Sequence, residues 1–244
     1  MEPADLSVSE LLMDLSTYLN DDIAGDRGLQ ERIGTELAAG RIVTIRQAFH
    51  EAFADKMFEC LDSFSAWRLY EDYSDEHFHY RHHNIYDSAT EPRELGICRK
   101  IFDSPVTRKQ IERLSGRECS GRTSLSASWY MPGDYSLPHT DHIGDGVLER
   151  RQVAFVWHLT KEWDLRWGGD LFWCPTAHYL PPTFNTLILF NVSSDSLHFV
   201  TPVAPHAQAK RLAINGWWTG PDPQDMPRRA RQGLVQLAPG VEAI

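Results

Sequence analysis

The sequence predicts a mainly β fold, a sandwich or barrel, supported by helices from its N-terminal half. Three observations carry this. From about Leu125 onward, short runs of β-branched and aromatic residues are separated by Gly, Pro, Asp and Asn. Before that point the apolar residues recur mostly at helical spacing. At 244 residues with 42% hydrophobic side chains and eight tryptophans, the chain is long enough for one sizeable core.

In chain order, Ser9 to Leu19 has helical spacing through Leu11, Leu12, Leu15 and Leu19. Arg41 to Ile45 reads as a short strand. Gln47 to Phe64 reads as an amphipathic helix with Phe49, Phe53, Met57, Phe58 and Leu61 on one face. Trp67–Glu71 and His77–Asp87 alternate and read as extended. Glu94–Phe102 and Val106–Leu114 read as helices, the second closed by Ser115-Gly116. The β-runs are Leu125–Met131, Gln152–Leu159, Asp170–Cys174, Thr186–Asn191, His198–Val203 and Arg211–Thr219. One domain is expected over 1–244: support to about 120, a β core over about 121–220, and a proline-rich surface tail over 221–244.

Net charge is −10, and no run of Lys or Arg exceeds a pair. Binding to a phosphate backbone needs clustered positive charge, so no nucleic-acid partner is expected. Cys60, Cys98, Cys119 and Cys174 form no CxxC pair and suggest neither a zinc ribbon nor a disulfide framework. No signal-peptide pattern and no membrane-spanning apolar run is present, so a cytoplasmic protein without membrane attachment is expected.

The chemistry concentrates in Tyr130-Met-Pro-Gly-Asp-Tyr-Ser-Leu-Pro-His139-Thr-Asp141. Residues two apart on extended backbone share a face, so an imidazole and a carboxylate here can grip one metal ion. His198, opening a strand 59 positions later, is the candidate third ligand. Two His and one carboxylate leave coordination positions open, as in the facial triad of oxygen-activating non-haem iron. A structural zinc site is more often closed by four protein ligands. Arg211 stands in an apolar strand, where a buried guanidinium needs an anion. A salt bridge within the chain is the plainer alternative, and Lys210, facing the other way, is the fallback. Ser126, Ser128 and Tyr130 share one face of their strand, opposite Leu125, Ala127, Trp129 and Met131.

Other features read more plainly. His77, His79, His82 and His83 suit a half-exposed strand better than a metal tract. The tryptophans are mostly core, with one or two available to wall a pocket. Gly168-Gly169 suits a hairpin turn, and His142 and His158 suit core or supporting roles.

The order of these parts resembles the prolyl-hydroxylase-like branch of the Fe(II)/2-oxoglutarate oxygenases. The series is Tyr130, Gly133, His139-Thr-Asp141, Gly168-Gly169-Asp-Leu, Asn185–Phe190, His198-Phe-Val-Thr-Pro-Val and Arg211–Trp217. Within the branch it is most similar to prolyl 3-hydroxylases that modify a ribosomal protein. The resemblance implies a double-stranded β-helix, or jelly roll, with Fe(II), 2-oxoglutarate and O2 as cofactors and ascorbate supporting activity. It implies His139, Asp141 and His198 on iron, Arg211 on the distal carboxylate of 2-oxoglutarate, and Tyr130 beside the same cosubstrate. Halogenating relatives lack the carboxylate ligand, so Asp141 implies hydroxylation. A free amino acid or small metabolite is the expected substrate, because those relatives carry a second β-helix domain and this chain is too short for one. A prolyl residue in a protein or peptide is the alternative, with Trp67–Asp87 and His142–Arg151 as pocket rim. A barrel that binds metal or ligand without turnover is the competitor from another class.

Overall fold

The computed structural model describes residues 14–75, 78–85, 89–142, 149–221 and 233–244. Its helices are α1 (Asp21–Ala24), α2 (Arg27–Ala38), α3 (Glu51–Ser63), α4 (Arg93–Phe102) and α5 (Pro105–Ser115). The strands of the first half are β1 (Val43–Arg46), β2 (Arg68–Asp75), β3 (Phe78–Ile85), β4 (Ser124–Tyr130) and β5 (Tyr135–Ser136). There follow β6 (Arg150–His158), β7 (Leu171–Trp173), β8 (His178–Leu180) and β9 (Thr186–Asn191). The last are β10 (His198–Val200), β11 (Arg211–Gly220), β12 (Val235–Ala238) and β13 (Val241–Ala243).

Two antiparallel sheets result. The major sheet runs β12-β13-β1-β9-β6-β11-β4-β3-β2, with β5 on β3, and the minor sheet runs β10-β7-β8. The period of two along each strand divides the major sheet into two unlike faces. Leu187, Leu189, Val153, Phe155, Trp157, Leu212, Ile214 and Trp218 point outward to a core shared with α2, α3, α4 and α5. Ile188, Phe190 and Ala154 point inward and pack on Leu171, Trp173 and Leu180 of the minor sheet. The two sheets thus face one another with a cavity between them, the layout of the double-stranded β-helix.

Helix ends follow the capping rules. Asp26 accepts from Leu29 N–H at 2.9 Å and Ser104 from Thr107 N–H at 3.1 Å. Gly116 ends α5 at φ 69°, a left-handed position that glycine takes without strain. Buried Asn191 donates from Nδ2 to Leu37 O (3.1 Å) and Ser115 O (3.0 Å), tying the ends of α2 and α5 to the sheet.

Three expectations change. The helix expected over Ser9–Leu19 lies partly outside the described residues, and its described part is a single 3-10 turn, Leu15–Thr17, before a bridge from Leu19 to Phe49. The tail expected on the surface instead returns to the sheet. β13 pairs with β1, and Val241, Ala243 and Ile244 are buried, because Val241-x-Ala243 presents apolar groups at strand spacing; residues 222–232 lie outside the described set. Gly168-Gly169 does not join two strands of a hairpin. It follows a 3-10 turn, Leu165–Trp167, and leads into β7.

Gly216 on β11 sits tight against β4: a Cβ there would collide with Ser124 O and lie 2.8 Å from the Phe155 ring. Gly216→Ala is expected to lower unfolding stability in urea by about 1–3 kcal/mol, the usual cost of overpacking a tight core. An unchanged midpoint would mean that the two strands are less tightly joined than described.

Candidate active site

Backbone pairing makes the centre of the site. After β4 the chain turns through Met131–Asp134, with Gly133 at φ 89°. Buried Asp134 fixes that turn: its Oδ2 accepts from Met131 N–H at 2.9 Å and lies 3.0 Å from His83 Nδ1, and Arg81 Nη1 lies 3.3 Å from its Oδ1. Beyond β5, His139 and His198 exchange both N–H···O bonds, each 2.9 Å long. Two imidazoles far apart in sequence are thereby side by side, with ring centroids 4.6 Å apart. Asp141, two residues on, comes to the same point: its carboxylate oxygens lie 4.0 Å from His139 Nε2 and 3.7 Å from His198 Nε2. One ligand atom from each of the three lies within 4.8 Å of the others.

The rings are also oriented. His139 Nδ1 sits 2.8 Å from Leu137 O and His198 Nδ1 2.8 Å from Ser196 O. A carbonyl only accepts, so each Nδ1 carries the proton and each Nε2 presents its lone pair toward the carboxylate. Burial, then the neighbouring His198, pull the His139 pKa down to about 4, leaving it neutral at pH 7. Two imidazoles and one carboxylate, an N/O donor set with no thiolate, fit Fe(II).

The triad opens on a cavity of about 690 Å³ lined by β3, β4, β6 and β11 and by His198 and Val200. At its other end Arg211 is 2% exposed. Its Nε donates to Gly169 O at 2.8 Å, and its guanidinium carbon lies 4.5 Å over the Tyr130 ring, its register partner on β4. Among the described residues no carboxylate lies within salt-bridge distance of it, and the Asp170 carboxylate and the Tyr130 phenol act on its charge from nearby. Lys210 points the other way, over Trp129 and onto Asp62 at the end of α3. Tyr130 is buried, which pushes its phenol up to about 12, with Arg211 and Ser136 opposing. Ser126 and Ser128 line the cavity with Tyr130, as strand parity predicts.

Several lining residues were not singled out from sequence. Reading His79, His82 and His83 as one half-exposed tract misses that β3 alternates; His77 lies outside the described residues. His79 faces Tyr135 and His83 faces Asp134, while His82 is buried on the cavity side between Tyr80 and Tyr130. Its ring lies parallel to that of Tyr130 at 4.8 Å and 6°. Tyr70, Tyr80, His82 and Tyr130 form a ladder of rings with the Arg211 guanidinium at its end. Arg151 stacks 3.7 Å above Trp217 and reaches Asp141 Oδ1 at 3.4 Å. Of the expected rim, residues 76–77, 86–87 and 143–148 lie outside the described set.

His82 gives a pH signature. Burial, with Arg211 adding to it, lowers its pKa from 6.5 to about 3. The unfolded chain takes up the proton first, so stability present above pH 6.5 is lost as pH falls toward 3. In the metal-free protein, His82→Phe keeps a ring against Tyr130 and removes this loss. Urea titrations are expected to show a slope shallower than wild type by up to about 1.4 kcal/mol per pH unit. Parallel losses in the two proteins would refute the burial of a neutral His82.

Residues 125–219 match the family model of the 2OG-Fe(II) oxygenase superfamily. The mouse prolyl 3-hydroxylase OGFOD1 is 28% identical over 161 residues, 59% of this chain. The Drosophila melanogaster prolyl 3-hydroxylase sudestada1 is 35% identical over 158 residues, 57% of this chain. The matched part spans only 28% of the length of each. Among solved structures, a Pseudomonas putida prolyl-4-hydroxylase superposes with TM-score 0.58 at 18% identity, over 78% of this chain and 98% of that one. A Trichoplax adhaerens prolyl hydroxylase, in complex with a hypoxia inducible factor peptide fragment, gives 0.57 at 20% identity, over 78% and 90%. The fold is thus the double-stranded β-helix, and the β core of the chain, residues 125–219, is similar to the 2OG-Fe(II) oxygenase superfamily, with prolyl hydroxylases among the proteins it resembles.

Proposed function

We propose that this protein is an Fe(II)- and 2-oxoglutarate-dependent hydroxylase of a prolyl residue in a peptide or protein. The observation that carries the reading is one cavity lined both by the His139–Asp141–His198 cluster and by a buried Arg211 that makes no salt bridge among the described residues. The superfamily brings Fe(II), 2-oxoglutarate and O2 as its cofactor set. In this reading His139, Asp141 and His198 hold the metal, Arg211 pairs with the distal carboxylate of the cosubstrate, and Tyr130 packs beside it.

Iron held by His139, Asp141 and His198, with 2-oxoglutarate and O2, would supply the oxidising power to hydroxylate an unactivated C–H bond, with succinate and CO2 as the co-products. The chain's own work is aiming and shielding. Leu171, Val200 and Phe190 give the cavity an apolar wall. Arg151, stacked on Trp217, holds Asp141 Oδ1 at 3.4 Å and lines the cavity with Tyr70 and Asp72.

The substrate expected from sequence, a free amino acid or small metabolite, gives way to the peptide. The relatives are prolyl 3-hydroxylases, and the solved neighbours include a prolyl hydroxylase holding a peptide. Chain length was the argument against a peptide substrate. The Pseudomonas putida prolyl-4-hydroxylase, covered over 98% of its length by 78% of this chain, shows that a prolyl hydroxylase of this fold fits within such a length.

With Fe(II), 2-oxoglutarate and ascorbate, prolyl peptides are expected to stimulate succinate formation and gain one oxygen atom by mass, and free amino acids are not. Stimulation by an amino acid alone would restore the small-molecule substrate; no succinate under any condition would leave a binding-only barrel. Anaerobic Fe(II) plus 2-oxoglutarate is expected to give a weak visible charge-transfer band. His198→Ala should abolish it, and Arg211→Ala should weaken 2-oxoglutarate binding about tenfold or more, the worth of a charge-assisted pair. Full absorbance and affinity in both variants would overturn the assignment of the site.

A further inference from the structure

Asp72 lines the cavity from β2, half-buried, and among the described residues no cation lies within salt-bridge distance of it. A carboxylate partly out of water gives up hydration, and without a positive partner it gains nothing in return. Its placement is set by the β2–β3 ladder. Tyr70 and Asp72 stand two apart on β2 and share a face, and their register partners on β3 are His82 and Tyr80. The Tyr70 and Tyr80 rings stack at 5.2 Å and 21°. Burial, then a hydrogen bond to Tyr70, push the Tyr80 phenol up, so both charge and proton stay fixed there at neutral pH. The Asp72 charge also acts on that phenol, which places the carboxylate beside the pair of rings. Tyr80 in turn stacks near His139, with ring centroids 6.3 Å apart. Asp72 and its two rings therefore stand about one ring away from the His139–Asp141–His198 cluster.

A carboxylate beside aromatic faces is a receptor for a cation, which pairs with the one and lies against the other. The same cavity already holds one cation in this way, Arg151, on Trp217 and beside Asp141. Arg151 also acts on Tyr80, but its guanidinium is committed to those two partners. Arg81 lies on the other face of β3, against Asp134. Arg68 shares the face of Asp72 but stands four residues back on β2, about 13 Å along a strand. The chain thus builds a second cation receptor and supplies no described cation to fill it. Its net charge of −10 also favours the approach of a basic peptide.

We infer that Asp72, with the rings of Tyr70 and Tyr80, receives an Arg or Lys side chain of the peptide substrate. The inference rests on the prolyl-peptide reading given under the proposed function, and it names a charge that the peptide carries. An extended peptide advances about 3.3 Å per residue, so that charge belongs within about three positions of the target proline.

The test uses the full chain with Fe(II), 2-oxoglutarate and ascorbate, and short peptides with a central proline. Arg, its uncharged isostere citrulline, or Glu is placed in turn at each flanking position. Wild type is expected to prefer Arg over citrulline by about tenfold in KM at one flanking position or more, with kcat little changed. That is the worth of one charge-assisted hydrogen bond made before the chemical step. Asp72→Asn should treat the Arg and citrulline peptides alike, and Asp72→Lys should favour Glu at the same position. The anaerobic Fe(II)–2-oxoglutarate band, read in each variant, checks that the site is formed. Equal KM for Arg and citrulline at every position in wild type would overturn the inference, with no variant needed, and leave the proposed function intact. So would an Arg preference that survives in Asp72→Asn, which would put the cation receptor elsewhere. Failure of the wild type to hydroxylate any of these peptides would overturn the proposed function, and this inference with it.

Discussion

Everything in the site depends on one pair of backbone hydrogen bonds, those between His139 and His198. They form an isolated bridge, outside any named strand on the His139 side, and they convert a separation of 59 positions into direct contact. The side chains follow from the backbone. Each ring is turned by a carbonyl two residues before its own Cα, Leu137 O for one and Ser196 O for the other. The same local device, used twice, leaves both Nε2 atoms facing the carboxylate of Asp141. Strength at this point is supplied by the turn around Asp134, whose buried carboxylate is bound to Met131, His83 and Arg81. Gly133 N–H and Asp134 O also bond to Val203, which steadies the approach to β10 from both sides.

The electrostatic design of the cavity sets each fixed charge near an opposite one. Asp141 has Arg151 at 3.4 Å, Arg211 has the Asp170 carboxylate nearby, and His82, His139 and His158 are kept neutral by burial. Neutral imidazoles between fixed charges give hydrogen-bonding and ligating groups without adding net charge to a dry interior. Stacking extends this economy of charge to the wall. Tyr130 lies between the His82 ring and the Arg211 guanidinium, so an aromatic face partly compensates a cation that has lost its water.

Much of this was legible in the sequence because extended backbone has a strict period of two. His139 and Asp141, and Ser126, Ser128 and Tyr130, had to share faces once their segments were strands. Arg211 stood out as a charge in an apolar run. Where both faces of a strand carry polar or aromatic groups, the same rule loses its contrast, and β3 is the example: His82 faces the cavity and His83 does not, but nothing in the composition separates them. The C-terminal strands were obscured for another reason. Prolines and arginines dominate the tail, and the short Val241-Glu-Ala-Ile alternation shows its worth only when β1 offers an edge. Gly168-Gly169 was given a turn by local rules, whereas its position is set by tertiary partners, Val203 across a bridge and Arg211 on its carbonyl.

The most direct measurement is anomalous diffraction at the iron edge from crystals grown anaerobically with Fe(II). The convergence of three side chains predicts a single peak at coordination distance from His139 Nε2, His198 Nε2 and an oxygen of Asp141. A peak elsewhere, or iron touching only one of the three, would contradict it.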